Sequence, residues 1–184
     1  ILSTTALFRD IAWYHILVSV DTTQATNTNR VKIYINGVET TLTGTYPAVN
    51  HVYDFNLASI HEVGDSYENG PFQGYLAQSF MIGTKSIQQS DFAITDFLDS
   101  FEFGDSGSQF GPKKHSEIKT LVDAGSDNSF LLQYENDSAL GTDSSTNTNT
   151  FTATDMAAVN QTTNTPSLVY PKIANIGTPS GDPA

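Results

Sequence analysis

"RVKIYINGVET", residues Arg30 to Thr40, decides the fold class. Val31, Ile33 and Ile35 alternate with Lys32, Tyr34 and Asn36, the two-residue period of a strand buried on one side. Asn36-Gly37 follows, two residues that tolerate positive φ, as a type I′ turn requires if its twist is to match the strands it joins. An antiparallel hairpin, and so a β-rich domain, is the expectation.

Upstream of the hairpin, "WYHILVSV" (Trp13 to Val20) is dense in β-branched and aromatic residues. Tyr14, Ile16, Val18 and Val20 share one face, and Trp13, His15, Leu17 and Ser19 share the other. Both faces are largely apolar, which predicts a strand covered on both sides. "DTTQATNTN" (Asp21 to Asn29) has no period and reads as a loop. Downstream, "TYPAVNHVYDFN" reads as a long connection, and Ser59 to Gly64 as a short strand. Pro71 to Gly83 reads as an alternating strand with Leu76, Phe80 and Ile82 toward the core. Ser90, before "DFAI", is placed as the N-cap of a helical turn.

Beyond Phe92 the pattern loosens into Gly, Ser and Asp with scattered aromatics. Ser116 to Gly125 predicts a short helix closed by glycine, and Ser129 to Asn136 a returning strand. From Gly141 onward Thr, Ser, Asn and Asp dominate, a composition that buries too little apolar surface to offset chain entropy, so an extended arm is expected. The organisation read from these shifts is strands over 1–98, a loop-rich segment with a helix and a strand over 99–140, and an arm or linker over 141–184.

With 184 residues and 38% hydrophobic content the chain can bury one core. Its net charge of -12, with 8 Lys+Arg, gives no footing for a nucleic acid backbone or an anionic membrane surface. No apolar run is long enough to span a bilayer. Cysteine is absent, which removes disulfides, zinc-thiolate sites and cysteine nucleophiles together. Ile1 opens without a charged or apolar leader, so a processed or partial chain is the expectation.

Several motifs bear on chemistry. Glu62, Asp65 and Glu68 suggest a glycosidase, but alternate residues must share a strand face for that reaction, and these intervals do not place them so. "GDSG" (Gly104 to Gly107) lacks the context of a serine protease and reads as a turn. His15, His51, His61 and His115 have no metal-ligand spacing, and zinc is not expected. Asp21, Asp54, Asp65 and Asn69 lie in loops and carry hard oxygen donors, which makes calcium the one cofactor left open. Tyr46, Tyr53, Tyr67 and Phe72 flank the same loops and offer faces on which sugar rings can stack.

"WYHILVSVDTT" and "NRVKIYINGVET" together resemble the concanavalin A-like, laminin-G-like jelly-roll modules, especially those of bacteriophage tail and virion proteins. The resemblance is carried by Trp13, His15 and Ile33 to Gly37, then by Phe72 to Ala77 and Ser90 to Phe92. Asn136 to Met156 is similar to the segment that follows the jelly roll in viral examples, with Thr146 and Thr148 where that pattern has glycine. The resemblance implies an all-β antiparallel jelly-roll sandwich lacking its first strands. It implies a non-enzymatic tail, fibre or capsid-decorating protein of the virion. Its partners would be other virion subunits or further copies of itself, with host-surface glycans as a second class. The alternative is a lectin module of a secreted or cell-surface protein.

Overall fold

A computed structural model describes residues 1–5, 13–57, 59–65, 70–83, 98–102 and 108–163. The strands pair antiparallel throughout: β1 (Leu2–Thr4) with β5 (Leu42–Gly44), β2 (Ile16–Val20) with β3 (Val31–Ile35) and β3 with β4 (Val38–Glu39). In the second half β6 (Ser79–Met81) pairs with β9 (Phe130–Leu132), and β7 (Leu98–Glu102) with β8 (Ser108–Pro112). One α-helix, α1 (His115–Asp123), stands among the described residues. The described residues therefore form a set of small antiparallel sheets with a single α-helix.

The hairpin forms as its sequence predicts. Asn36 and Gly37 adopt φ of 50° and 83°, and Asn36 ties the turn to the chain entering β2, its side chain accepting from His15 N at 2.9 Å while its N donates to His15 O at 2.8 Å. After β4, Thr40 N donates to Ile33 O at 2.8 Å. The chain then changes partners, since Thr41 O accepts from Thr5 N at 3.4 Å and Leu42 pairs with Thr4. Thr40-Thr41 thus link β4 to β5 and one sheet to the other, as a corner does in layered β proteins.

The core lies where α1, the β6–β9 ribbon and one face of β2 meet. Ile118, Val122 and Leu131 are fully buried, with Leu17, Phe80, Ile82 and Leu121 packed against them. Ile118 and Val122 are four residues apart and share a helix face, which is why α1 docks here. Burying each such side chain stabilises the fold by about 1.5–3 kcal/mol. Glu117 Oε2 accepts from Lys114 N at 3.3 Å to satisfy one free donor at the helix start, and Gly125 N bonds Val122 O at 3.0 Å at its end.

Five expectations need correction. The strand predicted over Trp13 to Val20 begins at Ile16, and only its Leu17 side is covered; Ile16 and Val18 are each 54% exposed. Ser59 to Gly64 is irregular rather than a strand, bending at Ser59 and again at Val63-Gly64, where Gly64 takes φ of 84°. The alternation over Pro71 to Gly83 yields a strand only at Ser79–Met81, so Leu76 is exposed while Phe80 and Ile82 reach the core. The segment read as loop-rich contains the β7–β8 pair. The Ser90 cap and the Gly104 to Gly107 turn lie outside the described residues.

The fifth correction concerns the polar stretch after Gly141, which folds back on the body as far as Gln161 instead of extending as an arm; residues 164–184 of the predicted arm lie outside the described residues. Asp143, 6% exposed, is its hub. One carboxylate oxygen accepts from Leu131 N and Ser145 N, both at 2.8 Å; the other accepts from Ser145 Oγ at 2.8 Å and Asn149 N at 2.7 Å. Asn147 Nδ2 donates to Ser126 O and Ser129 O, and Asn149 Nδ2 to Asp127 O and Ser129 O. Phe151 closes the clasp edge-on against Phe130, with centroids 4.8 Å apart. Gln161 Nε2 then ties the outgoing chain to Tyr134 O and Glu135 O. Short polar side chains at every second position fill the space that apolar residues would otherwise fill, and each finds the partners burial demands.

Candidate functional site: an exposed aromatic loop

Arg30 organises the loops beside the hairpin. Its guanidinium donates to three backbone carbonyls, Nε to Gln24 O, Nη1 to Pro47 O and Nη2 to Ala25 O, each at 2.8 Å. A rigid planar fork of donors suits this task. Thr22 adds two further ties, its O accepting from Asn50 N and its Oγ1 donating to His51 O, both at 2.8 Å. The connection after Pro47 is thereby pinned at its start and projects beyond.

What projects is aromatic. His51, Tyr53 and Phe55 lie two residues apart, and Tyr53 is extended at φ -103°, ψ 155°. The His51 and Tyr53 rings meet edge to face with centroids 4.4 Å apart, and Tyr53 stacks on Phe55 at 5.4 Å and 23°. The 3-10 turn Asp54–Asn56 ends the run, with Leu57 N bonding Asp54 O at 3.0 Å and Ser59 Oγ bonding the same oxygen at 3.1 Å. Phe55 is 45% exposed and Val52 73%, so the ladder stands in solvent. Flat faces of this kind take the apolar face of a ring-shaped ligand, and Asn50 and Asp54 supply polar groups at its edge.

The aromatic residues singled out in the sequence fall into separate settings. Tyr53 belongs to the ladder. Tyr46 lines an open cleft of about 360 Å³ at the strand corner, with Thr28, Thr40, Thr41 and the Lys32–Glu39 ion pair at 3.3 Å. Phe72 lines another, of about 410 Å³, with Val63, Asp65 and Leu76. Tyr67 lies outside the described residues, as do Asn69 and Glu68.

Among the oxygen donors, Asp21 builds its own loop. Its Oδ1 accepts from Thr23 N and Thr23 Oγ1, and its Oδ2 from Gln24 Nε2. Burial works to raise its pKa, but these hydrogen bonds outweigh it and hold the carboxyl below the usual value. Asp54 is exposed at the start of the 3-10 turn and Asp65 lines the Phe72 cleft. Among the described residues no three His, Asp or Glu side chains converge as a metal site.

The chain matches no family model, no curated protein and no solved structure.

His15 is half-buried. Its Nδ1 has no hydrogen-bond partner among the described residues, and burial lowers its pKa. His115 Nδ1 lies 3.2 Å from Glu135 Oε1, bridging α1 to the segment after β9. Sequence reasoning missed Arg30 and Asp143 as organisers, since each acts on backbone atoms that only the fold assembles. It also missed that Phe55 joins Tyr53, although the two-residue spacing over His51, Tyr53 and Phe55 was the available signal. No helix among the described residues is long and apolar enough to cross a membrane.

Proposed function

We propose that this chain is a non-enzymatic structural module of a virus particle, a phage tail, fibre or capsid-decorating component built on a concanavalin A-like jelly-roll sandwich. The observation that carries the reading is the behaviour of the two segments in which the resemblance is richest. "RVKIYINGVET" makes a closed hairpin, and Asn136 to Met156 contains the Asp143 clasp. Both are held by the residues of the motifs themselves. Sheets of two or three strands are marginal alone and gain from neighbours, which suits a protein that works within an assembly. In this reading the protein resides in the virion and its partners are other virion subunits or its own copies. The test is immunogold labelling of purified particles with antibody to the isolated protein. Label at a fixed position on intact particles is the expected result, and label confined to unassembled cell material contradicts it.

A second reading, a carbohydrate-binding module of a secreted or cell-surface protein, is favoured by the exposed His51–Tyr53–Phe55 ladder. It predicts saturable binding to neutral oligosaccharides that Tyr53→Ala abolishes without change in the far-UV spectrum. Calcium at Asp21, Asp54, Asp65 and Asn69 would accompany this reading, and a melting temperature unmoved by calcium or EDTA removes that role. Equal binding by wild type and Tyr53→Ala removes the ladder as the sugar site.

A further inference from the structure

The two residues that turn the hairpin are also a reactive pair. Asn36 is exposed and Gly37 follows it, so the Gly37 nitrogen has no Cβ beside it to hinder approach to the Asn36 side chain. Neither that nitrogen nor Asn36 Nδ2 has a hydrogen-bond partner among the described residues. Asn36 Oδ1, by contrast, accepts from His15 N at 2.9 Å. An unengaged nucleophile, a free leaving group and a polarised carbonyl thus meet within two consecutive residues.

We propose that Asn36 is a site of spontaneous deamidation, at which the chain modifies its own hairpin turn. The Gly37 nitrogen adds to Asn36 Cγ and closes a five-membered imide ring, and the Nδ2 group leaves as ammonia with the proton that Gly37 N gives up. Nucleophile and carbonyl belong to one short stretch of chain, so the addition is intramolecular and avoids the entropy of an encounter. Charge develops on Oδ1 as the bond forms, and His15 N already donates to that oxygen within the range of about 2.7–3.1 Å from which a fixed donor stabilises it. Water then opens the imide. Opening at Cγ breaks the new bond and leaves an aspartate, whereas opening at the backbone carbonyl breaks the original peptide bond and leaves an isoaspartate. Either product adds one negative charge to a chain that carries -12.

The two products treat the hairpin differently. The aspartate keeps an oxygen for His15 N. The isoaspartate inserts a methylene into the main chain of a two-residue loop, and loop length sets the register of the strands it joins. The Tyr34–Glu39 and Ile35–Val38 pairings, the Thr40 N bond to Ile33 O and the Lys32–Glu39 ion pair all depend on that register. Isomerisation therefore releases β4 from β3, while the β6–β9 ribbon is paired elsewhere in the chain. The step needs only water and no partner.

The test holds the purified, folded chain in mildly alkaline buffer at physiological temperature and samples it over days. Ion exchange reads the added charge, an isoaspartyl methyltransferase labels the isomerised product, and Glu-C cleavage at Glu39 and Glu62 separates Asn36 from the other Asn-Gly pair, Asn69-Gly70. The Asn36 peptide should convert progressively to acidic product, part of it methylated. In the methylated fraction the Thr40 amide should exchange hydrogen like an unstructured one. Asn36→Asp should release no ammonia from this position and keep Thr40 protected. An Asn36 peptide that stays intact in the folded chain but reacts in the urea-unfolded chain overturns the proposal, because the fold then shields the site. Acidic product that comes wholly from Asn69 overturns it too. Thr40 protection in the methylated fraction equal to that of the unmodified chain overturns the release of β4.

Discussion

Replacing Asp143 by Asn keeps the size of the side chain and reverses half of its chemistry. A carboxylate only accepts, and the four donors around Asp143, Leu131 N, Ser145 N, Ser145 Oγ and Asn149 N, all donate. An amide turns one end into a donor: at the Oδ1 position it opposes Leu131 N and Ser145 N, and at the Oδ2 position it opposes Asn149 N, while the Ser145 hydroxyl there can turn to accept from it. Hydrogen bonds to a charged acceptor contribute about 1.5–3 kcal/mol each, and a buried donor left unsatisfied costs about 1–3 kcal/mol. With relaxation of the clasp, the net loss is about 3–4 kcal/mol, a large part of the roughly 5–15 kcal/mol typical of a folded domain. For a chain of this length that is a fall in melting temperature of roughly 6–16 °C. Thermal and urea unfolding would read it, with limited proteolysis reporting cleavage between Leu140 and Phe151. A change under about 2 °C, with the clasp still resistant, would refute the view that Asp143 holds the polar segment to the core.

Thr148 sits at φ 59°, a left-handed conformation that costs a β-branched residue about 1–2 kcal/mol, whereas Thr146 is not among the positive-φ residues. Thr148→Gly should therefore raise the urea midpoint slightly, and Thr146→Gly should lower it. Gly44 has φ +122°, and an added Cβ would lie 2.2 Å from Ile1 O. Gly44→Ala should release β1 from β5, seen as lost hydrogen-exchange protection of the Thr45 amide, which donates to Ile1 O, with little change at Leu131. Burial depresses the His15 pKa in the folded state, so the unfolded chain binds more protons between the folded value and about 6.5. Stability should accordingly be full above pH about 6.5 and decline as pH falls through that window. His15→Leu should flatten the decline in urea midpoints taken across it.

The elements legible in the sequence are those fixed by neighbours in the chain. Asn36-Gly37 sets the hairpin through local backbone preference, and Ile118 and Val122 mark the docked face of α1 through helical spacing. The clasp was not legible by the same means. Asp143, Ser145, Asn147 and Asn149 resemble a solvated tail by composition, and what draws them inward is the backbone of Ser126, Ser129 and Leu131, which reaches them only in the fold. Their two-residue period was present, but it was polar, and a hydrophobic reading passes over it. Leu76 shows the converse: its alternation is regular, yet the strand starts only at Ser79, so alternation without a pairing partner buries nothing. For the candidate site, Tyr46, Tyr53 and Phe72 were each found beside loops, but spacing of tens of residues carries no information on whether those loops meet.

The measurement that bears most directly on the central claim is quantitative mass spectrometry of gradient-purified particles. Co-sedimentation of this chain with the particles at a fixed copy number, retained through high-salt washing, is the predicted result. Its absence from intact particles, with the protein recovered only as a free species, would contradict a structural role in the virion.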